Sequence, residues 1–316
     1  MTRADIVVVG GTNWDFLLRG PRLPGPGETV AGETFHEGPG GKGANQAVGV
    51  ARLGANVALV SRLGADERGD AVIDALQAAR VDVRHVARDS ARPTGVALIA
   101  VDTSGEKQIS VAPGANHALS EQDIDAARGT IAFAKVVVVG LEVPIAVVGA
   151  ALRLAKAAGA KTILDPAPAL PLSEDLLRLV DVIRPNAAEA ELLTNVRVGD
   201  ARSAAHCGRV LLARGVGAAI IAAGDAGNLV INREEQHLLA HHQVASVDAT
   251  GAGDAFVAGL AFALAEGRSL VDAAAYGGAA AAFSTTRLGA QAGLPRREDL
   301  SALLAERIAP VSSVPV

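Results

Sequence analysis

Short runs of apolar, largely β-branched residues recur along the chain, at Ile6–Val9, Val57–Val60, Val136–Val139, Thr162–Leu164, Val182–Ile183 and Ala219–Ile221. Between them lie Ala- and Leu-rich stretches of helical spacing. This alternation predicts an α/β fold in three layers, a mostly parallel sheet with helices on both faces. Several runs end in glycine or polar residues: Gly140-Leu141-Glu142, Asp165-Pro166-Ala167-Pro168, Arg184-Pro185-Asn186 and Ala223-Gly224-Asp225. Ligands of such sheets bind beyond the carboxyl ends of the strands, so these segments are where a site is expected.

Two stretches break the pattern. Residues of about 14–36 and 93–113 lack helical periodicity and carry strand-like pieces, Thr94–Val101 and Gln108–Val111. Turn signals stand at Pro24-Gly25-Pro26-Gly27 and Ser104-Gly105. Both segments read as a small β-sheet lid inserted into one main domain spanning residues 1–316. The tail after Ile308 is expected to fray.

Composition narrows the function. Thirty-five glycines and 3% aromatic residues suit a core of Ala, Val and Leu joined by tight turns. A net charge of −5 leaves no surplus of Lys and Arg to neutralise a nucleic acid or an anionic membrane surface. The apolar stretch from Val136 to Ala151 is interrupted by Glu142 and Pro144, short of the ~18 uncharged residues of a membrane span. One cysteine, Cys207, excludes an internal disulfide framework and fits a reducing compartment, so the cytoplasm is the expected address. Cys207 lies in an Ala-rich helical segment and reads as a small buried hydrophobe.

The segment Asp248-Ala249-Thr250-Gly251-Ala252-Gly253-Asp254 carries the clearest chemistry. A Gly-rich turn at a helix start aims free N–H groups and the positive end of the helix dipole at an anion. Asp254, in the first turn of that helix, is then placed to accept a proton from a hydroxyl beside a phosphate. Asp is also a favoured cap, so a purely structural role for Asp254 stays open. A second segment, Gly38-Pro39-Gly40-Gly41-Lys42-Gly43-Ala44-Asn45, lets a ligand approach the backbone, with Lys42 and Asn45 as donors for a polyhydroxylated molecule. The alternative there is a loop with a solvated lysine. Asn13 and Asp15 are two apart, so on a strand they share one face and Trp14 takes the other; ordinary turn chemistry after Gly10-Gly11 is the other reading.

Other motifs are weaker. His237 and His241 are four apart with His242 adjacent, yet the preceding segment is strand-like and no zincin pattern follows, so a metal site there is not expected. The opening Val9-Gly10-Gly11 lacks the Gly-x-Gly-x-x-Gly spacing of a dinucleotide-binding oxidoreductase.

Gly40-Gly41-Lys42-Gly43-Ala44-Asn45 and Asp248-Ala249-Thr250-Gly251-Ala252-Gly253-Asp254 together resemble the two signature motifs of the ribokinase-like family of sugar kinases (phosphofructokinase-B type). Thr94-Gly95-Val96-Ala97, Pro113-Gly114-Ala115-Asn116, Asp165-Pro166-Ala167-Pro168 and Pro185-Asn186-Ala187-Ala188-Glu189 are similar to further family segments, in the family's order. The resemblance implies phosphoryl transfer from MgATP to a primary hydroxyl, with the lid often a homodimer interface. It implies Asp254 as catalytic base and Gly251, Ala252 and Gly253 as the anion hole. For the sugar it implies Asn13, Asp15, Gly41, Lys42, Asn45, Glu142, Asp248 and Asp254, a pattern that favours D-ribose and its O5 hydroxyl. Poverty in aromatic residues disfavours a nucleoside.

For ATP the resemblance implies Asn186 and Glu189, organising Mg²⁺ through water, Gly224, Asp225 and Gly227 in a nucleotide loop, Gly253 at the phosphates and Gly278 ahead of an Ala279–Ala282 helix along the adenine pocket. A Ser or Thr is commoner at the position of Asp225. A monovalent cation, usually K⁺, is implied at Asp248, Thr250, Ser284, Arg287 and Gly289, held mainly by backbone carbonyls, with Gly293 where a Ser hydroxyl often serves. Trp14 departs from a usually small residue. If it faced the sugar, the pocket would be altered and another sugar, such as 2-deoxyribose, fructose or 2-keto-3-deoxygluconate, becomes an alternative substrate. A catalytically silent sugar- or nucleotide-binding regulator is the alternative of a different class.

Overall fold

The computed structural model describes residues 3–305; the tail expected to fray after Ile308 lies outside them. Thirteen strands follow in chain order among the described residues: β1 (Ile6–Val9), β2 (Asn13–Arg19), β3 (Thr34–Gly40), β4 (Val57–Gly64), β5 (Asp82–Asp89), β6 (Gly95–Val101), β7 (Lys107–Ala112), β8 (Val136–Gly140), β9 (Lys161–Asp165), β10 (Val182–Ile183), β11 (Ala218–Ala222), β12 (Asn228–Ile231) and β13 (Gln236–Leu239). Nine of them form one sheet in the order β13-β12-β11-β10-β9-β8-β1-β4-β5. All neighbours from β11 to β5 are parallel, and β12 and β13 add an antiparallel edge.

The uninterrupted apolar runs have a direct cause. Alternate residues of a strand point to opposite faces, and in a parallel sheet covered by helices both faces are core. Val7 and Val9 of β1 therefore pack with Ile131, Val148 and Leu152 on one side. Ile6 and Val8 pack with Val48, Phe256 and Leu260 on the other. Replacing a fully buried Ile or Leu by Ala in such layers costs about 2–5 kcal/mol.

β5 breaks the apolar pattern because it is the sheet edge, where alternating charged residues face water. The stretch expected as a helix only from Ala279 is part of one helix, Leu270–Ser284, with Tyr276-Gly277-Gly278 inside it. Gly277 does not break the helix but brings it against the helix Ala252–Ala265: a Cβ there would lie 2.7 Å from the Phe256 carbonyl oxygen.

The remaining four strands form a second sheet, β3-β2-β6-β7, built from the two segments that lacked helical periodicity. β2 begins at Asn13 and β3 runs on to Gly40, beyond the expected limits at that end. The pairing Asp15↔Ala97↔Val111 puts these residues on one face with Asn13, Ile99 and Ile109. Trp14, Leu98, Leu18 and Phe35 take the opposite face, where Leu98 and Phe35 are more than half exposed.

Candidate active site

A cavity of about 760 Å³ lies between the carboxyl ends of the main strands and the inner face of the small sheet. Asn13, Asp15, Gly41, Lys42, Asn45, Glu142 and Asp254, all expected at the sugar, line it. Thr250, Gly251 and Gly253 line it too, as do Asn186 and Glu189. Asp248 is not among the lining residues. Its carboxylate instead accepts from the N–H groups of Thr250 and Gly289, both at 2.8 Å, and so ties two loops together.

The helix Ala252–Ala265 starts at Gly251, whose φ of 80° is left-handed, and no side chain caps it. Asp254 is therefore not a cap. Its Oδ2 accepts from Asn45 Nδ2 at 2.9 Å, while Lys42 Nζ and Gln46 Nε2 each approach Oδ1 at 3.4 Å. Burial raises its pKa; Lys42 and Asn45 oppose that rise, and Asp165 reinforces it. A buried carboxylate of raised pKa, with only long contacts at Oδ1, has an oxygen suited to accept a proton.

Gly251 is fixed by space as well as by φ, because a Cβ there would lie 2.8 Å from Ala290 Cα. Among the described residues the amides of Gly251 and Gly253 have no acceptor, whereas the N–H of Ala252 bonds the Ala249 carbonyl at 3.3 Å. Ala252 is also absent from the cavity lining, so two of the three expected anion-hole amides are free.

Lys42 is not a solvated loop lysine. Its backbone N–H donates to Glu142 Oε2 at 2.9 Å, and its ammonium sits 3.2 Å from Asp165 Oδ2. Burial alone would lower its pKa, but Asp165, Asp254, Glu142 and Glu189 hold it above the ordinary lysine value. Asp165 also accepts from Gln46 Nε2 at 2.6 Å. Sequence reasoning singled out neither Asp165 nor Gln46 as site residues. The signal was present: Asp165 ends a strand, and Lys42, Asn45 and Gln46 share one helix face at i, i+3 and i+4.

On the small sheet Asn13 is held by Asn116, whose Nδ2 donates to Asn13 Oδ1 at 2.8 Å and to the Thr12 carbonyl at 3.1 Å. Asp15 Oδ1 is buried without a partner. Burial first, then Asp254, pushes the Asp15 pKa up to about 6. Burial likewise brings Glu142 to about 7, against the opposing charge of Lys42. Trp14 points away, donating from Nε1 to Glu37 Oε2 at 3.1 Å, and is not among the residues lining the cavity.

Asn186 and Glu189 bind each other as a reciprocal cap of the helix Ala187–Thr194, through Asn186 N–H and Nδ2 to Glu189 oxygens at 2.8 Å and Glu189 N–H to Asn186 Oδ1 at 2.9 Å. Gly224 and Asp225 form the turn after β11, with Gly227 preceding β12, outside the large cavity. Gly278 lines a second cavity of about 340 Å³ with Asn228, Leu239 and Ala275. His237 lies on β13 and pairs with Glu235 at 2.7 Å, and His241 faces the Gly224 carbonyl at 2.9 Å, so the histidines share no helix face.

The expected cation positions converge. Besides the Asp248–Gly289 bond, the N–H of Gly293 bonds the Gly289 carbonyl at 3.1 Å, and Ser284 Oγ donates to the Ala281 carbonyl. Arg287 stacks over Phe283 at 5.1 Å. A Cβ at Gly293 would meet the Ser284 carbonyl oxygen at 2.3 Å, so no serine side chain fits there as the backbone stands. Thr250 Oγ1 is buried with no partner, which suits an oxygen-ligated cation.

The model of the pfkB family of carbohydrate kinases matches residues 3–297. A ribokinase of Haemophilus influenzae is 39% identical over 297 residues, covering 94% of this chain and 97% of its own. A deoxyribokinase of Salmonella typhi is 32% identical, covering 95% and 98%. Among solved structures, Arabidopsis thaliana ribokinase complexed with ribose and ATP superposes with a TM-score of 0.88 at 30% identity, covering 96% and 99%. No helix of the described residues is long and apolar enough to cross a membrane. With a catalytic-type carboxylate beside free backbone amides, and a family match across almost its whole length, the chain belongs to the pfkB family of carbohydrate kinases.

Proposed function

We propose that the chain transfers the γ-phosphoryl group of ATP to the O5 hydroxyl of D-ribose, giving ribose 5-phosphate and ADP. The observation that carries this reading is the single cavity holding both the Asp254 carboxylate and the unbonded amides of Gly251 and Gly253. Asp254 takes the O5 proton as the oxygen attacks phosphorus, and the two amides receive charge on the phosphoryl oxygens. Asn13 and the partnerless Asp15 Oδ1 accept from ring hydroxyls on the opposite wall. The ribokinase relatives supply the choice of sugar. A deoxyribokinase relative at 32% identity makes 2-deoxyribose the second reading.

Glu189 and Asn186 offer oxygen donors in the cavity and suit a hydrated Mg²⁺, which neutralises phosphate charge when bound. Thr250 Oγ1 and carbonyls of the 284–293 segment suit K⁺ beside the anion hole. The small sheet acts as a lid, and its exposed outer Leu98 and Phe35 suit a homodimer contact. One buried cysteine fits a cytoplasmic location.

ADP release from MgATP, measured with ribose, 2-deoxyribose, fructose, adenosine and 2-keto-3-deoxygluconate, with and without K⁺, tests the whole assignment. Ribose is expected to be preferred and K⁺ to accelerate turnover. Preference for another sugar would relocate the error to the Asn13–Asp15 wall, and no turnover on any would favour a silent binder.

Asp15→Ala is expected to weaken ribose binding about 10- to 100-fold, since hydrogen bonds to a charged acceptor are worth ~1.5–3 kcal/mol. Because Asp15 is raised to about 6, it is ionised at pH 7.5 and largely neutral at pH 5. Ribose affinity should therefore fall as pH drops through about 6, and Asp15→Asn should flatten that dependence in calorimetric titrations. Unchanged affinity in both variants would place the sugar elsewhere.

A further inference from the structure

Arg184 follows β10 and lines the large cavity with Gly253, Asp254, Asn186 and Glu189. A guanidinium has five N–H donors and keeps its charge at any physiological pH. Among the described residues none of these donors has a hydrogen-bond acceptor, and Nε is buried. Asp165, Glu189 and Asp254 face it closely enough to favour its charge, against a burial that lowers its pKa. Each of those carboxylates is already engaged, Asp165 by Lys42 and Gln46, Glu189 by Asn186, and Asp254 by Asn45. An unpaired, partly desolvated cation persists only where a ligand completes it.

Its orientation is set. The guanidinium carbon stands 4.7 Å from the centroid of the buried Phe256 ring, which fixes the position of the fork. Nη1 would lie 3.2 Å from a Cβ built on Gly253, so the fork touches the turn that carries the anion-hole amides. Of the other cations lining the cavity, Lys42 is held by Asp165 and Asp254, on the side of the base, and Lys107 stands on β7 of the small sheet.

We propose that Arg184 is a further catalytic residue, donating through its Nη groups to the γ-phosphoryl oxygens while that group passes from ATP to the sugar hydroxyl. This rests on the kinase reading above. The bond from phosphorus to the β–γ bridging oxygen breaks, the bond to the sugar oxygen forms, and Asp254 takes the hydroxyl proton. Arg184 neither gains nor loses a proton; it balances charge on the equatorial oxygens as an arginine supplied from the same chain.

Arg184→Met keeps the length and the packing on Phe256 but removes charge and donors, while Arg184→Lys restores the charge alone. With the full chain, kcat should fall about 10³-fold in R184M and less in R184K. The Kd values for the sugar and for ADP should stay within about threefold, as should those of any group acting mainly in the transition state. Added guanidinium chloride at millimolar concentration should partly restore R184M and leave the basal rate of D254N unchanged. A kcat for R184M within about threefold of the wild type overturns the proposal. So does loss of sugar or ADP binding in parallel with kcat, or a defect confined to 2-keto-3-deoxygluconate, which would assign the guanidinium to an acceptor carboxylate. The ratio is taken on whichever sugar of the panel the unmodified chain phosphorylates. A failure on ribose thus counts against the substrate while Arg184 is still tested, and absence of turnover on every sugar overturns both.

Discussion

Asp254→Asn should lower kcat for sugar phosphorylation by about 10³- to 10⁴-fold, the upper range of general-base catalysis, and leave the sugar Kd within about tenfold. The substitution keeps the shape of the side chain, and an amide oxygen can still accept from Asn45 Nδ2, now 2.9 Å from Oδ2. Lys42 retains its ion pair with Asp165 at 3.2 Å. What disappears is the basic oxygen that burial has made more proton-avid than an ordinary aspartate. An interaction made only in the transition state is lost from kcat and kcat/KM together. Steady-state kinetics with calorimetry of sugar binding separates the two quantities, and a kcat within tenfold of the wild type would remove Asp254 as the base.

The parallel sheet was legible because its strands are buried on both faces, so burial and sequence pattern coincide at Ile6–Val9 and Val136–Val139. β5 was not, since an edge strand alternates Arg and Asp with Val and Ala and looks like a polar segment. Within the site, Lys42, Asn45 and Asp254 stood out because each belongs to a Gly-rich motif at the start of a helix. Asp165, Gln46 and Arg184 stood out less. Their roles arise from pairings across more than a hundred residues, such as Gln46 with Asp165, and no local spacing records them. Asp248 is the converse case: a motif position whose carboxylate ties Thr250 to Gly289 and stays off the cavity wall.

The electrostatic design follows from these long-range pairings. Five carboxylates, Asp15, Glu142, Asp165, Glu189 and Asp254, share one cavity with three cations, Lys42, Lys107 and Arg184. Lys42 offsets the excess around Asp254, where its charge opposes the rise that burial imposes on the carboxyl pKa. Asp15 and Glu142, pushed up to about 6 and about 7, change protonation near neutral pH. Arg184 stands at the turn that carries the free amides of Gly251 and Gly253.

Gly251→Ala should cut kcat about 10²- to 10³-fold, the cost of losing one oxyanion donor, with sugar affinity nearly intact. At a φ of 80° an alanine costs roughly 1–2 kcal/mol by itself. The larger effect is steric, because the new Cβ would lie 2.8 Å from Ala290 Cα and 2.9 Å from Ala290 Cβ, and backbone there cannot swing aside as a flexible side chain would. The turn must shift, carrying the amides of Gly251 and Gly253 away from the phosphoryl position, while Asn13 and Asp15 stay on the other sheet. Gly267→Ala is the matched control. Gly267 has a φ of 81°, nothing lies within 4 Å of its would-be Cβ, and it does not line the cavity. Both variants should lose a few degrees of melting temperature from the left-handed strain, and only Gly251→Ala should lose turnover. Equal kcat values for the two would mean that the turn tolerates displacement and that its amides do not stabilise the transferring group.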